Sequence, residues 1–409
     1  MLVSLTFLYV LCSSATLGIP GVLLVPMAED LGWSVGDISA PIGVRFALFG
    51  LIAPFAGALL VRYGPRAVVA ASAALLLVGL LMAMTITTRW QLWLSLGVLC
   101  GIAPGMTAVV LPATVATRWF TARRGLVLGL LGGGGAAGQL VFLPPVAWIA
   151  EAWGWRYALL PSAISVGILA ALFWLLARDR PQEIGLAPYG ETGPPAHPAA
   201  LSSGNPFALS LSALAEGVRT PLFWLLAFTF AVCGLSSTGL MQAHFVPLCG
   251  DYGIATLTAA GLLGVIGAFN MAGTIASGWL SDRYDPRWLL MGYYGFRGVS
   301  LVWLPFSDFS IMELSLFSVL FGLDFIATVP PTVKLAVQAL GREKAPIAFG
   351  WIFAAHQLGA GAMAYVAGES RDVLGTYLPA FFTAGLLCFV AALCFVAVRG
   401  RPRPITAAA

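Results

Sequence analysis

The sequence predicts an all-α membrane protein: twelve transmembrane helices in two six-helix bundles related by a pseudo-two-fold axis. Three observations predict it. First, 59% of the 409 residues are hydrophobic and 9% are charged, against about 25% charged in a soluble domain. Such a chain cannot cover a globule with polar surface, so its solvent is lipid. Second, apolar runs long enough to cross a hydrocarbon core, about 20 residues each, recur twelve times. Third, the sequence aligns with itself when shifted by 221 residues.

The runs are about 2–26, 37–61, 67–87, 91–116, 125–148, 156–177, 221–248, 255–281, 288–306, 310–334, 346–367 and 376–398. The first has no basic leader and is too long for the apolar part of a signal peptide, so it is read as a span. Residues 178–220 contain "PYGETGPPAHP" and "LSSGNP", a Pro/Gly/Ser linker without helical periodicity. The expected organisation is a six-helix bundle at 1–177, a cytoplasmic linker at 178–220, a second bundle at 221–398 and a tail at 399–409. The 47 Gly and 26 Pro are tolerable in membrane helices, where neighbours satisfy freed backbone groups.

Lys and Arg set the orientation. Fifteen (Arg62, Arg66, Arg118, Arg123, Arg124, Arg178, Arg180, Arg219, Arg283, Arg287, Arg342, Lys344, Arg399, Arg401 and Arg403) fall in loops on one side. Only Arg89, Arg156 and Arg371 fall on the other. Positive loops stay inside, so both termini are expected in the cytoplasm of a multi-pass protein of the inner (plasma) membrane. The net charge of +4 is then a topology signal, and nucleic acid is dropped as a partner. Lipid, a small-molecule substrate and protons remain, with a monomer expected.

Chemistry-bearing motifs are sparse. The six cysteines lie in apolar runs or at their ends without a C-x-x-C pair, and read as small packing residues. No His/Cys/carboxylate set has metal spacing and nothing reads G-x-x-x-x-G-K-[ST]. No nucleophile–base pair is visible. No metal, cofactor or enzymatic activity is expected.

The repeat is specific in its loops. "VPMAEDLG" (25–32) falls on "VPLCGDYG" (246–253), and "GALLVRYGPR" (57–66) on "GWLSDRYDPR" (278–287). Gly57/Gly278, Arg62/Arg283, Tyr63/Tyr284, Pro65/Pro286 and Arg66/Arg287 coincide without a gap, as do Cys12/Cys233 and Gly18/Gly239. Same-orientation repeats of six spans are how two transporter halves rock around a central site.

These loops resemble the G-x-x-x-D-R-x-G-[RK]-[RK] loop of the major facilitator superfamily, and the resemblance extends over almost the whole chain. The first loop has Gly57, Arg62, Gly64 and Arg66, with Val61 in place of the family's Asp. The second keeps Gly278, Asp282, Arg283 and Arg287, with Asp285 in place of the second Gly. The resemblance implies a cytoplasmic latch between the halves: a carboxylate at a helix end holds arginines, and Gly permits close approach. Val61 weakens that role in the first half.

A narrower resemblance lies in "TRWFTARRGLVLGLLGGGGAAG" (117–138). Trp119, Phe120, Arg123, Arg124 and Gly129 are similar to the entry of the fifth helix in monocarboxylate porters and oxalate/formate-type antiporters. Glycines 132–135 read as close packing, bending or a substrate-facing surface. Those porters often carry an Asp and an Arg four residues apart in helix 8, the Arg binding carboxylate. By spacing to Gly278 the positions here are Asn270 and Thr274, so that arginine is absent from its usual helix.

Four ionisable groups fall at membrane depth. At ~1.5 Å per residue, Asp324 lies about 20 Å into the tenth span, Arg297 about 14 Å into the ninth, His356 about 15 Å into the eleventh and Arg45 about 12 Å into the second. Each costs at least ~2.5–3.5 kcal/mol unless paired or hydrated. Arg297 and Asp324, on consecutive antiparallel spans, are expected to meet as an ion pair. That pair either ties two helices together or takes part in coupling. In coupling, Asp324 or His356 carries a proton, since imidazole titrates near neutrality, and Arg297 is either the partner of Asp324 or an anion contact. In the first half the three fall on Leu76, Ala103 and Gly135, so the fold itself requires none of them. Lys334 is expected at the cytoplasmic edge, where it can snorkel. His244 is expected at the outer rim, and Pro330 and Pro331 at a break in the inner third of span 10.

Polar residues that can complete a site are Tyr9, Ser13, Ser14, Thr16, Gln139, Ser236, Ser237, Thr238, Gln242, Asn270 and Gln357. Each also suits a helix–helix hydrogen bond. The expected function is secondary active transport of a small organic solute, a monocarboxylate or other organic anion, by proton-coupled alternating access. The alternative is proton-driven efflux of hydrophobic drugs or metabolites. A membrane enzyme or receptor on the same scaffold is a third class.

Overall fold

The computed structural model describes residues 1–191 and 205–397 and, within them, the side chains of all but residues 124, 125, 136, 206, 339–347 and 397. Most of the linker's "GPPAHP" and "LSSGNP" segments, the tail at 399–409, and the side chains of Arg124, Arg342 and Lys344 lie outside the described residues. Among those described there is no strand; one isolated bridge joins Phe120 to Tyr189.

The chain forms twelve spans. Among the described residues, nine helices are long and apolar enough to cross a membrane. Val35–Ala83 holds spans 2 and 3, because non-helical backbone at Gly64 (φ 80°, ψ 157°) divides it. Pro286–Trp303 is span 9, and Val329–Leu374 carries the second half of span 10 and all of span 11. The remaining spans are 1 (Leu2–Leu31), 4 (Arg89–Trp119), 5 (Leu126–Trp153), 6 (Tyr157–Leu176), 7 (Pro221–Asp251), 8 (Thr256–Arg283), 10 (from Ile311) and 12 (Leu378–Val396). The linker adds a short helix, Pro206–Gly217, whose Ser210 hydroxyl donates to the Pro54 carbonyl (3.1 Å) and whose Ser210 carbonyl accepts from Trp351 (2.9 Å).

Lipid-facing chemistry follows the sequence. Leu81, Ile164, Ile168, Ile275, Leu316 and Leu386 are exposed large apolar residues. Exposed Trp90, Trp153 and Tyr157 lie towards one end of the spans, and Trp224, Trp279, Trp288 and Tyr284 towards the other. Amphipathic rings at both ends are the aromatic belts of a bilayer protein.

Spans 1, 4, 7 and 10 are irregular at mid-depth. Span 1 is interrupted between Ala15 and Ile19, and span 4 between Gly105 and Val110. Span 7 widens into π turns over Leu235–Gln242, and span 10 is interrupted between Asp324 and Val329. Freed backbone groups at membrane depth need other partners, so polar side chains should converge there.

The expectation that Pro330 and Pro331 break span 10 is corrected. The break is at 325–328, and the prolines lie in the first turn of the second half-helix. A missing N–H costs nothing in a first turn, and proline's fixed φ suits it.

At the face remote from the 57–66 and 278–287 loops the halves meet closely. A Cβ added at Gly21 of span 1 would come 2.3 Å from the Gln242 carbonyl oxygen of span 7, closer than any side chain fits. Spans 2 and 11 touch at Gly43 and Gly361, where a Cβ on either would lie 2.6 or 2.5 Å from the other's carbonyl oxygen.

Candidate functional site

The site grows from the break in span 10. Its first half-helix ends at Asp324, whose carbonyl keeps only a turn bond from the Ala327 amide (3.2 Å), and the last carbonyls of a helix lack intrahelical partners. Arg297, on span 9 and 0% exposed, fills this end. Its Nε donates to Asp324 Oδ2 (2.6 Å), and its Nη2 to the carbonyls of Asp324 (2.6 Å) and Phe325 (3.1 Å). Its Nη1 donates to Cys233 Sγ (3.0 Å) and Ser236 Oγ (3.3 Å) on span 7. A guanidinium has five N–H donors, and these contacts account for all five. Asp324 is 3% exposed, and its other oxygen, Oδ1, has no protein partner.

The guanidinium thus answers to two negative partners. One is the carboxylate. The other is the C-terminal end of the Ile311–Asp324 half-helix, worth about half a negative charge. The second partner persists if the first takes up a proton.

Cys233 carries the cluster further. Its sulfur is 3.2 Å from Thr328 Oγ1 inside the break, and a Cβ on the next residue, Gly234, would lie 2.9 Å from His356 Nδ1 on span 11. The reading of the cysteines as apolar packing is therefore corrected for Cys233. His356 packs 4.7 Å from the Phe230 ring centroid and stacks on Phe353, and its Nδ1 has no protein partner. Asp324, Arg297 and His356, from three spans, so meet around a cysteine that composition alone had dismissed.

The first half solves the same backbone problem without charge. Ser72 Oγ donates to the Ala103 carbonyl (2.7 Å), and Ala103 is the position that Asp324 occupies in the repeat. Tyr9 donates to Ser72 (3.0 Å), and Ser72 lies 3.3 Å from Thr107, the counterpart of Thr328. Neutral hydroxyls thus do in one half what an ion pair does in the other, so the fold's requirement does not explain the charges.

Arg45 is the second buried cation. It is 1% exposed, and its Nη2 donates to the Thr16 carbonyl (2.7 Å) and hydroxyl (3.2 Å). Thr16 closes the Leu2–Ala15 half-helix, so this guanidinium also lies at a half-helix C-terminus. Unlike Arg297 it keeps a free donor: Nε has no protein partner.

The other candidates divide. Gln242 Nε2 and Gln357 Oε1 are buried without partners. Ser13, Ser236 and Ser237 bond carbonyls of their own helix turns. Ser14 and Thr238 are buried. Asn270 Oδ1 accepts from Thr274 (3.2 Å), so the two positions where porters carry a charged pair bond each other. Gln139 is half-buried. In the glycine run, Gly134 packs near the Phe7 carbonyl, while Gly132 meets open space. His244 is corrected: it is fully buried rather than at a rim, bonding the Ala364 carbonyl through Nε2 (2.7 Å) with Tyr377 beside it.

The loops at 57–66 and 278–287 also differ from expectation. Val61 does not leave the first loop without a carboxylate. Asp179, at the end of span 6, supplies one, accepting from the Arg66 amide (2.8 Å) at the spot where Gly64 has no Cβ. Arg118 closes the group by donating to the carbonyls of Leu60 (3.0 Å) and Asp179 (3.4 Å). Asp179→Ala should therefore lower stability by about 1–3 kcal/mol, the cost of orphaning such a donor. Val61→Asp in that background should recover part of it, since both residues line one pocket; thermal unfolding in detergent checks both.

In the second loop Asp285 accepts from the Arg287 amide (3.0 Å) and pairs with its guanidinium (2.7 Å). Arg62 and Arg283 lie over Tyr63 and Trp279. Asp282 is exposed, with no hydrogen bond or ion pair among the described residues. A Cβ added at Gly278 would meet open space and one at Gly57 would lie 3.7 Å from Val110, an ordinary contact, so neither glycine carries a tight approach. Lys334 donates to the Ser281 carbonyl, near the 278–287 loop.

Comparison with known proteins agrees with this architecture. A model of the Major Facilitator Superfamily matches residues 6–364. Monocarboxylate transporter 13 of Rattus norvegicus is 30% identical over 353 residues, covering 85% of this chain and 76% of that protein. The Fujikurins efflux protein of Gibberella fujikuroi is 26% identical over 268 residues, covering 65% and 53%. Among solved structures, a D-xylose–proton symporter superposes with a TM-score of 0.73 at 14% identity, covering 98% of each chain. The chain, a multi-pass membrane transporter with an interrupted, charge-bearing tenth helix, belongs to the major facilitator superfamily.

Proposed function

We propose that the protein moves a monocarboxylate or another small organic anion by proton-coupled alternating access. One observation carries the reading: Asp324 is buried and paired, yet keeps a free oxygen, and its partner Arg297 has a second anchor in the half-helix end. The carboxylate can take a proton at Oδ1 without stranding the guanidinium. His356 and Cys233 extend the polar path from the break to span 11.

In this reading Arg297, with every donor engaged, is the partner and not the anion contact. Arg45, with Nε free and no carboxylate paired with it among the described residues, is the cation left for a substrate anion. Gln242 and Gln357 offer neutral contacts. The halves 1–177 and 221–398 rock about the site, joined by the 178–220 linker. The basic loops and both termini lie in the cytoplasm, and the protein works as a monomer in the inner (plasma) membrane. The likeness to a monocarboxylate transporter supports the substrate class.

A second reading, proton-driven efflux of hydrophobic compounds, is favoured by the uncharged Tyr9–Ser72–Thr107 network of the first half and by the efflux relative. Uptake of labelled lactate, oxalate or formate into proteoliposomes, with and without a pH gradient, separates the two. Gradient-dependent carboxylate uptake is expected. Movement of hydrophobic cations with no carboxylate uptake would reverse the order. Arg45→Gln is expected to raise the KM for the anion about tenfold, the value of one charge-assisted hydrogen bond, with a smaller effect on kcat.

A further inference from the structure

At the face remote from the basic loops, two carboxylates cross from one half to the other. Asp372, near the end of span 11, accepts from the amides of Val35 (3.1 Å) and Gly36 (2.6 Å), in the first turn of span 2. Glu151, near the end of span 5, accepts from the amide of Leu257 (3.1 Å), in the first turn of span 8. Shifted by 221 residues, Glu151 falls on Asp372 and Gly36 on Leu257. The same contact is made twice, each half giving one carboxylate and receiving one.

First-turn amides have no intrahelical acceptor, and the helix dipole favours a negative charge there. Among the described residues, the ion pairs of this face (Arg89–Asp37, Arg156–Asp30 and Arg371–Asp251) each stay within one half. They stiffen each half without tying it to the other. The approach at span 2 also depends on Gly36. A Cβ there would lie 2.7 Å from Asp372 Oδ2 and 2.8 Å from Glu369 Oε1.

We propose that Glu151 and Asp372 form a paired latch that holds this face closed, and that transport requires its release. The two residues are positioning residues: they touch no substrate and set the balance between closed and open states of the face. Because the pseudo-two-fold axis relates the contacts, a rocking motion that parts spans 2 and 11 also parts spans 5 and 8, so both release together. The role rests on the rocking-halves reading above. Its test reads conformation, so it stands or fails independently of which solute is carried.

The experiment measures spin–spin distances across the face, with labels at Thr85→Cys and Asp308→Cys, both exposed and on different halves, in a Cys394→Ala background. The other native cysteines are buried. The parent protein is expected to give mainly the short distance. Glu151→Ala and Asp372→Ala should each raise the ratio of open to closed about fivefold, the double variant more, as expected for charge-assisted contacts at helix N-termini. Gly36→Ala should act like Asp372→Ala without removing a charge. Glu151→Asp and Asp372→Glu should retain most of the closed population. Asp251→Ala, which breaks a pair inside one half, should leave the distribution unchanged. A folded, monodisperse double variant with the parent's distribution overturns the proposal, as does an equal shift from Asp251→Ala.

Discussion

Arg297→Ala is expected to reduce the yield of folded protein several-fold and to lower thermal stability by about 3–5 kcal/mol, the range for removing one partner of a buried ion pair. The reason exceeds the loss of a pair. The substitution strands a carboxylate at 3% exposure and takes the charged donor from the carbonyls of Asp324 and Phe325 at a half-helix end, leaving that of Asp324 only its turn bond from Ala327. It also takes the donor from Cys233 and Ser236. Elution of detergent extracts on size exclusion and thermal unfolding measure both effects. Arg297→Ala combined with Asp324→Ala removes the stranded charge and should recover much of the yield, because an apolar replacement of a buried pair is often tolerated. That double variant is expected to fold and still fail to transport. Normal gradient-driven uptake by it would reduce the pair to a tie between spans 9 and 10.

Asp324→Asn is expected to fold and to lose proton-driven uptake, about a hundredfold or more, while exchange of solute across the membrane falls far less. Asn has the shape of the protonated acid and freezes that charge state. Arg297 then loses its ionic partner but keeps the half-helix carbonyls and the span 7 contacts, so the cost is smaller than for Arg297→Ala. Proton-driven uptake needs the charge to change in each cycle, whereas exchange can run in one protonation state. Counterflow and gradient-driven uptake in the same proteoliposomes separate the two. Equal, normal rates in both assays would leave Asp324 a structural member of the pair. Rates lost in both, with the protein folded, would make it a substrate contact instead.

Much of the site was legible before any coordinates. Ionisable residues at membrane depth are costly, so Asp324, Arg297, His356 and Arg45 stand out against their spans. Antiparallel connection of spans 9 and 10 already paired the first two. Cys233 was not legible, since a thiol in an apolar run looks like any small packing residue, and only the neighbouring spans bring Arg297 and Thr328 to it. Nor was the role of Asp179. The family pattern puts the carboxylate at Val61, whereas the chain brings one back from the end of span 6, over a hundred residues later.

The sequence by itself determined the solvent, the number of spans, the uneven distribution of the loop charges and the repeat, because each follows from local hydropathy, length and spacing. It could also say that the second half alone carries a mid-membrane ion pair. The tertiary structure decided where the helices break and what satisfies the freed backbone. It decided that every donor of Arg297 is engaged while Arg45 keeps one free, and that Glu151 and Asp372 repeat one contact across the halves. These are contacts between helices distant in sequence, fixed by close packing and by the need to pair every buried polar group, and no local pattern encodes them.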